Sequence, residues 1–130
     1  MRRVSRILCV TVFLFGFTAG RAGVLAQTIS APEAKNHIGE TATVCGKVVS
    51  TRFASSSHSQ PTFLNLDRPY PKQVFAVVIW GSDRPKFDRP EVTYRDKRIC
   101  VTGEIRSFRG VPEVAARDPS QIKTEAGDRK

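Results

Sequence analysis

Short segments rich in β-branched and aromatic residues recur along this chain between turn-forming residues, and this rhythm constrains the fold more than any other feature. The predicted strands are Thr41–Phe53, Thr62–Asp67, Val74–Trp80, Lys97–Ser107 and Val111–Ala116. A connection over residues 81–96 with two prolines and many charges separates the third strand from the fourth. The pattern predicts a small all-β domain with one short helix at Ser30–Ile38, where Ser30 and Glu33 match a capping box.

The first predicted strand is interrupted by Gly46. A lone glycine within a strand marks a bulge or a sharp bend, which small barrels use to turn a corner. With that bend, the order of strands fits an OB-fold, a five-stranded Greek-key barrel. A small sandwich or an SH3-like barrel would give a similar order, so the pattern alone leaves these alternatives open.

The first 26 residues have the features of a secretory signal peptide. Three arginines within residues 2–6 precede an apolar run at Ile7–Phe17, and Val24–Ala26 offers small residues at a cleavage site. The apolar run is shorter than the roughly 20 residues that a membrane-spanning helix needs. We therefore expect a cleaved leader over 1–26, an OB-fold domain over 27–123 and a flexible tail over 124–130, in a periplasmic or secreted protein.

The basic charge of the chain is unevenly placed. The full sequence has a formal net charge of +9, with 21 basic and 12 acidic residues. Four of the arginines and none of the acidic residues precede residue 27, so the remainder has 17 basic residues and a net charge of +5. Excess positive charge favours polyanionic partners, but much of this excess belongs to the leader.

Three cysteines occur, and Cys9 lies in the predicted leader. Cys45 and Cys100 remain, and a pair in an exported protein is expected to oxidise. The spacing of these cysteines and His58 matches no zinc pattern, and there is no C-x-x-C redox motif. We predict a Cys45–Cys100 disulfide and no metal site.

Several motifs resemble exported bacterial OB-fold proteins of the nucleic-acid-binding superfamily. They are T-V-C-G-K-V-V at 43–49, F-A-V-V-I-W-G at 75–81, R-I-C-V-T-G-E-I-R-S-F-R-G-V-P-E-V at 98–114 and D-P-S-Q-I at 118–122. The resemblance covers most of residues 30–123 and implies an OB barrel. The first and fourth strands of such a barrel are neighbours, and Cys45 and Cys100 both have the outward parity, which agrees with the predicted disulfide.

Residue types that carry catalysis do not converge in the sequence. His58 lies among serines whose presence loop composition explains, and the aspartates at positions 67, 83, 88 and 96 are scattered. There is no P-loop and no G-x-G-x-x-G motif. We expect no enzyme activity and no cofactor.

OB barrels bind nucleic acid on the outer face of their second and third strands and on the flanking loops. Aromatic rings there stack on bases, and arginine or lysine contacts phosphates. The candidates on that face and at the adjoining ends of the first and fourth strands are Arg52, Phe53, Phe63, Asn65, Arg106, Phe108 and Arg109, with Tyr70 and Trp80 as additions. An alternative reading is that Phe53, Trp80 and Phe108 cap the barrel core and that the arginines are only solvated.

The sequence thus predicts an exported, non-catalytic OB-fold module that binds nucleic acid weakly through its barrel face. Single-stranded nucleic acid is the expected partner, and no membrane insertion is expected after the leader is cleaved. The alternative is an envelope protein that binds a small ligand, an oligosaccharide or a protein partner.

Overall fold

The computed structural model describes Gly16 and residues 26–125. The rest of the predicted leader, and residues 126–130 of the predicted tail, lie outside the described residues. The strands are β1 (Gln27–Ser30), β2 (Thr41–Phe53), β3 (Thr62–Leu66), β4 (Phe75–Ile79), β5 (Arg98–Glu104), β6 (Arg106–Phe108), β7 (Val111–Ala115) and β8 (Ile122–Thr124). Short 3-10 helices cover Ala31–Asn36, Arg84–Phe87 and Pro119–Gln121, and the α-helical turn α1 covers Pro90–Thr93. Over this part of the chain, no helix has the length and apolar character to span a bilayer.

The predicted all-β architecture is confirmed, but the count of five strands is wrong. The first predicted strand has the bounds of β2, and the second, third and fifth correspond to β3, β4 and β7. The fourth is divided at Ile105 into β5 and β6. Two further strands lie at the edges, because β1 pairs in parallel with β2, and β8 pairs antiparallel with β5.

The strands follow one another in the order β6-β7-β4-β3-β2-β5-β8, with β1 beside β2. This hydrogen-bonded path is open, so the sheet is OB-like without being closed by hydrogen bonds. The chain itself links β6, at one end of this path, to β5, which lies next to the other end, because only the buried Ile105 separates β5 from β6. A close approach packs β5 against β7: a Cβ on Gly103 would lie 2.5 Å from the Val114 Cγ1 atom.

The break between β5 and β6 is held by the segment that follows the first helix. The Gly39 N–H donates to the Ile105 carbonyl oxygen at 2.7 Å, and the Ile105 N–H donates to the Glu40 carbonyl oxygen at 2.9 Å. Gly39 has φ of +89°, a conformation that glycine adopts without strain. The bent strand therefore keeps both backbone groups of its corner residue satisfied.

The bend of β2 lies close to the predicted position. Residues Thr41–Lys47 pair with β5, whereas Val48 and the residues after it pair with β3, with a register shift between Val48 and Ser50. A Cβ at Gly46 would lie 2.9 Å from the Asp67 Oδ1 atom. A side chain at position 46 would have to displace the Asp67 carboxylate, which accepts a hydrogen bond from the Lys47 N–H at 3.1 Å.

The predicted helix at Ser30–Ile38 is a shorter 3-10 helix over Ala31–Asn36, and the predicted capping box is absent. The Ser30 hydroxyl donates to the Glu33 carboxylate at 2.9 Å instead of accepting from a backbone N–H. Ala31 and Ala34 are fully buried. Their spacing of three residues suits the three-residue turn of a 3-10 helix, which places both methyl groups against the barrel.

The core takes apolar side chains from every strand except β6. Alternate residues of a strand share a face, and the following five side chains on the inner face have no exposed surface: Leu64, Leu66, Ile99, Val101 and Ile105. The connection between β4 and β5 also contributes, because Phe87 and Tyr94 are buried against the same cluster. The outward positions of the same strands are therefore free to form a surface site.

The predicted disulfide is present between Cys45 and Cys100, with an S–S distance of 2.07 Å. These residues lie directly opposite each other in β2 and β5. Both are half-buried on the outer side of the barrel. The next outward pair along the same strands is Thr43 and Thr102, whose hydroxyl oxygens lie 2.8 Å apart.

Replacing both cysteines, as Cys45→Ala with Cys100→Ala, is expected to lower the free energy of unfolding by about 4 kcal/mol. The crosslink spans 55 residues of sequence, and its loss frees the unfolded chain in the chain-entropy model. Urea denaturation monitored by circular dichroism measures the change. The matched control is Thr43→Val with Thr102→Val, which removes one hydrogen bond worth about 1 kcal/mol. A cysteine variant no less stable than this control would contradict the prediction.

Candidate nucleic-acid interface

A groove with a volume of about 570 Å³ lies on the outer face of β2, β3, β4 and β7. The β3–β4 loop borders it on one side, and the turn between β6 and β7 borders it on another. Five of the seven residues predicted from the sequence line it: Arg52, Phe63, Asn65, Phe108 and Arg109. The loop adds Tyr70, Pro71 and Gln73.

The strand register explains the shape of the groove. One outward residue from each of four neighbouring strands forms a row: Ser50, Asn65, Ala76 and Glu113. Alternate residues of a strand share a face, so Phe63 lies to one side of this row and Phe108, opposite Val111, lies to the other. Phe63 and Phe108 are three strand spacings apart, about 14 Å along the sheet. They can therefore contact different parts of an extended ligand.

The floor of the groove is built by Asn65, which is only 3% exposed. Its Nδ2 donates to the Ser50 hydroxyl at 3.0 Å, and that oxygen also accepts from the Tyr70 backbone N–H at 3.3 Å. The β3–β4 loop is thereby fixed over the floor. Asn65 was predicted as an exposed contact residue; it does lie on the predicted face, but the loop covers it.

The rim of the groove is aromatic and basic. Phe108 is 56% exposed and Tyr70 is 66% exposed. The Arg109 guanidinium lies 5.2 Å from the centre of the Phe108 ring. Arg109 and Gly110 both have positive φ, as a tight turn between two strands requires. Phe108 therefore does not cap the core, and neither does Trp80, which is 42% exposed.

Two predicted residues lie outside the groove. Phe53 follows Arg52 in β2 and has the opposite parity; its ring is covered by the Arg84 guanidinium, 3.8 Å from the ring centre. Arg106 is exposed and lies beside the groove, 3.8 Å from the exposed Glu104 carboxylate. Trp80 borders a separate depression together with His58.

Glu113 is the charged groove residue that was not predicted from the sequence. Burial raises the pKa of its carboxyl, and the positive charge of Arg106 on the neighbouring strand offsets part of that rise. Within residues 26–125, no side chain or backbone group donates a hydrogen bond to it. The Oε1 atom of Gln73, another lining residue, is buried and has no hydrogen-bond partner within residues 26–125. Parity could have identified Glu113, since it stands between the inward Pro112 and Val114.

The variant Glu113→Gln is expected to unfold at a higher temperature than the wild type at pH 7.5. A carboxyl whose pKa is raised in the folded state costs stability once it ionises, so the wild type loses stability as the pH rises through that pKa. At pH 3.5 the wild-type carboxyl is protonated, and the advantage of the variant should vanish. Thermal unfolding of both proteins at the two pH values measures this.

The control for that experiment is Glu33→Gln, which removes the same charge from an exposed position outside the groove. It should give no comparable gain at pH 7.5. A gain for Glu113→Gln that is equal at both pH values would show that ionisation of this carboxyl is not its cause.

No protein-family model matches the sequence, and no curated protein is similar to it. Two solved structures are similar in fold. One is a putative aspartyl-tRNA synthetase from Leishmania major Friedlin, with a TM-score of 0.53 and 13% identity over 82% of this chain and 22% of that one. The other is asparaginyl-tRNA synthetase from Entamoeba histolytica, with a TM-score of 0.53 and 16% identity over 80% of this chain and 24% of that one.

The chain thus spans less than a quarter of the length of these two synthetase chains. At such low identity the similarity shows the fold alone. It supports the OB-type architecture expected from the sequence motifs, and it does not bear on bacterial export.

Proposed function

We propose that this protein is a non-catalytic module that binds single-stranded nucleic acid weakly through the groove. One observation carries the proposal: the rings of Phe63, Tyr70 and Phe108 share the groove with the guanidinium groups of Arg52 and Arg109. Single strands expose the faces of their bases and a chain of phosphates. Rings that stack and cations that contact phosphates are the groups that bind both.

The positive charges of the two groove arginines, Arg52 and Arg109, are not neutralised by nearby carboxylates of the described residues, which supports this proposal. Within residues 26–125, no carboxylate lies within ion-pairing distance of Arg52 or Arg109. Arg84 and Arg106, by contrast, each have a glutamate as a neighbour. Guanidinium groups that are not neutralised by the protein can neutralise phosphates and release counterions.

The fold comparison agrees with a role in nucleic-acid binding. Both similar structures are named as tRNA synthetases. The similarity covers only part of each, and their synthetase activity is not transferred to this chain. What we carry over as a proposal is a binding role for a module of this fold.

The arrangement of titratable groups supports a module without catalysis. Glu113 is the one carboxylate that lines the groove, and His37 and His58 lie elsewhere, the former paired with Glu40. General acid–base chemistry needs a positioned group within reach of the reacting atoms, commonly in a pair of complementary roles. The groove is better suited to stacking and charge neutralisation.

Binding is tested with a fluorescein-labelled deoxythymidine 15-mer in anisotropy titrations. Phe108→Ala should weaken binding by about 1–3 kcal/mol at every salt concentration, because it removes a stacking surface. Trp80→Ala is the matched control, since Trp80 is a comparably exposed aromatic residue outside the groove. It should leave the affinity unchanged.

The same titrations at several salt concentrations examine the charge contribution. Arg109→Ala should reduce the slope of log K against log salt by about 0.7, the loss of one phosphate contact to a single strand. Arg89→Ala removes the same charge from an exposed position outside the groove and should leave the slope unchanged. If the wild type does not bind at low salt, the proposal fails, and a small ligand, oligosaccharide or protein partner becomes the leading alternative.

We also propose that the protein acts in the periplasm or outside the cell. Disulfides persist in oxidising compartments, and the Cys45–Cys100 crosslink supports this location. When the full chain is expressed in a bacterium, the exported protein should begin at or near Gln27, as judged by intact mass and N-terminal sequencing. The control Leu14→Arg interrupts the apolar run of the predicted leader and should block processing. Wild-type protein that keeps Met1 and stays in the cytoplasm would contradict export.

A further inference from the structure

The groove contains hydrogen-bond acceptors that the protein itself does not satisfy. The Glu113 carboxylate is half-buried and receives no hydrogen bond within residues 26–125, and the Oε1 of Gln73 is buried without a partner. Both residues line the groove. A ligand that supplies N–H groups beside the Glu113 carboxylate would therefore add hydrogen bonds that the described residues do not make.

Nucleobases differ in the donors that they present. The Watson–Crick edge of guanine has two adjacent donors, the N1–H and the N2 amino group, which can reach both oxygens of one carboxylate. Thymine and uracil present one N–H between two carbonyl oxygens, and these oxygens would face the negative charge. Adenine and cytosine place a ring nitrogen acceptor next to their amino group. Guanine is therefore the base whose edge matches a carboxylate best.

The position of Glu113 suits a base stacked on Phe108. Phe108 is the cross-strand partner of Val111, and Glu113 is two residues further along β7, about 7 Å away. The cross-strand neighbours of Glu113 are Arg106 on β6 and Ala76 on β4, and Ala76 also lines the groove. Arg109 lies beside the same ring and can hold the phosphate.

We propose that Glu113 makes the groove prefer guanine at one position of the bound strand. This inference rests on the proposed function and adds a base preference to it. Stacking and phosphate contacts bind the strand whatever its sequence. The Glu113 carboxylate recognises one base by accepting hydrogen bonds from its N1–H and N2–H groups.

The experiment compares labelled deoxythymidine nonamers with one altered central nucleotide. The central base is thymine, guanine or hypoxanthine, and hypoxanthine lacks only the N2 amino group of guanine. The wild type should bind the guanine nonamer at least about fivefold more tightly than the thymine nonamer, the lower end of a good bidentate base contact. The hypoxanthine nonamer should have an intermediate affinity.

The variant Glu113→Ala should bind the guanine and thymine nonamers equally, to within about twofold. Its affinity for the thymine nonamer should stay the same or rise, because a negative charge has left the neighbourhood of the phosphates. Glu33→Ala is the matched control, since it removes the same charge from an exposed position outside the groove lining. It should keep the guanine preference.

The outcomes separate this inference from the proposed function. If the wild type binds none of the nonamers at low salt, the proposed function fails and the base preference fails with it. If the wild type binds the guanine and thymine nonamers equally well, the proposed function stands and the inference is wrong. A guanine preference that persists in Glu113→Ala also overturns the assignment to this carboxylate.

Discussion

The change of partner within β2 is the constraint on which the rest of the structure depends. Up to Lys47 this strand pairs with β5, and from Val48 it pairs with β3. The first half therefore faces the strand that carries the second cysteine, and the second half joins the face that carries the groove. Gly46 lies just before this change of partner, where a Cβ would lie 2.9 Å from the Asp67 Oδ1 atom, so β2 passes closest to the end of β3 at its bend.

Local sequence patterns predicted the long elements of this fold and missed the short ones, for a physical reason. β2, β3, β4 and β7 have strand-forming composition and alternate inward and outward residues along enough length to be seen. β1 and β8 have four and three residues, and they are strands because β2 and β5 supply their hydrogen bonds. The corner at Ile105 could not be predicted from the local sequence either. Ile105 is buried, as it would be in a continuous strand. Its backbone is bonded to Gly39 and Glu40, which are distant in the sequence.

The same distinction applies to the candidate site. Arg52 and Phe53 are consecutive in a strand and so point to opposite faces; a surface that included both could not form on one side of β2. The alternation of inward and outward residues contains that information. The burial of Asn65 depends instead on the β3–β4 loop, whose Tyr70 N–H donates to the Ser50 hydroxyl 20 residues earlier in the chain, so it could not be inferred from the local sequence. Phe108 and Arg109 reach the groove because the turn after β6 brings the end of one strand beside the next.

The groove lining contains charges of both signs, and their combination indicates which ligand the groove suits. Arg52 and Arg109 would attract any polyanion, and a groove built only to hold phosphates would bind more tightly without a carboxylate among its lining residues. Glu113 also costs folding stability, since burial raises its pKa. Glu113 therefore weakens both folding and phosphate binding, and a base that donates hydrogen bonds to its carboxylate would explain its presence in the groove. The arginines then supply affinity for any strand, and the carboxylate makes that affinity depend on which base lies above it.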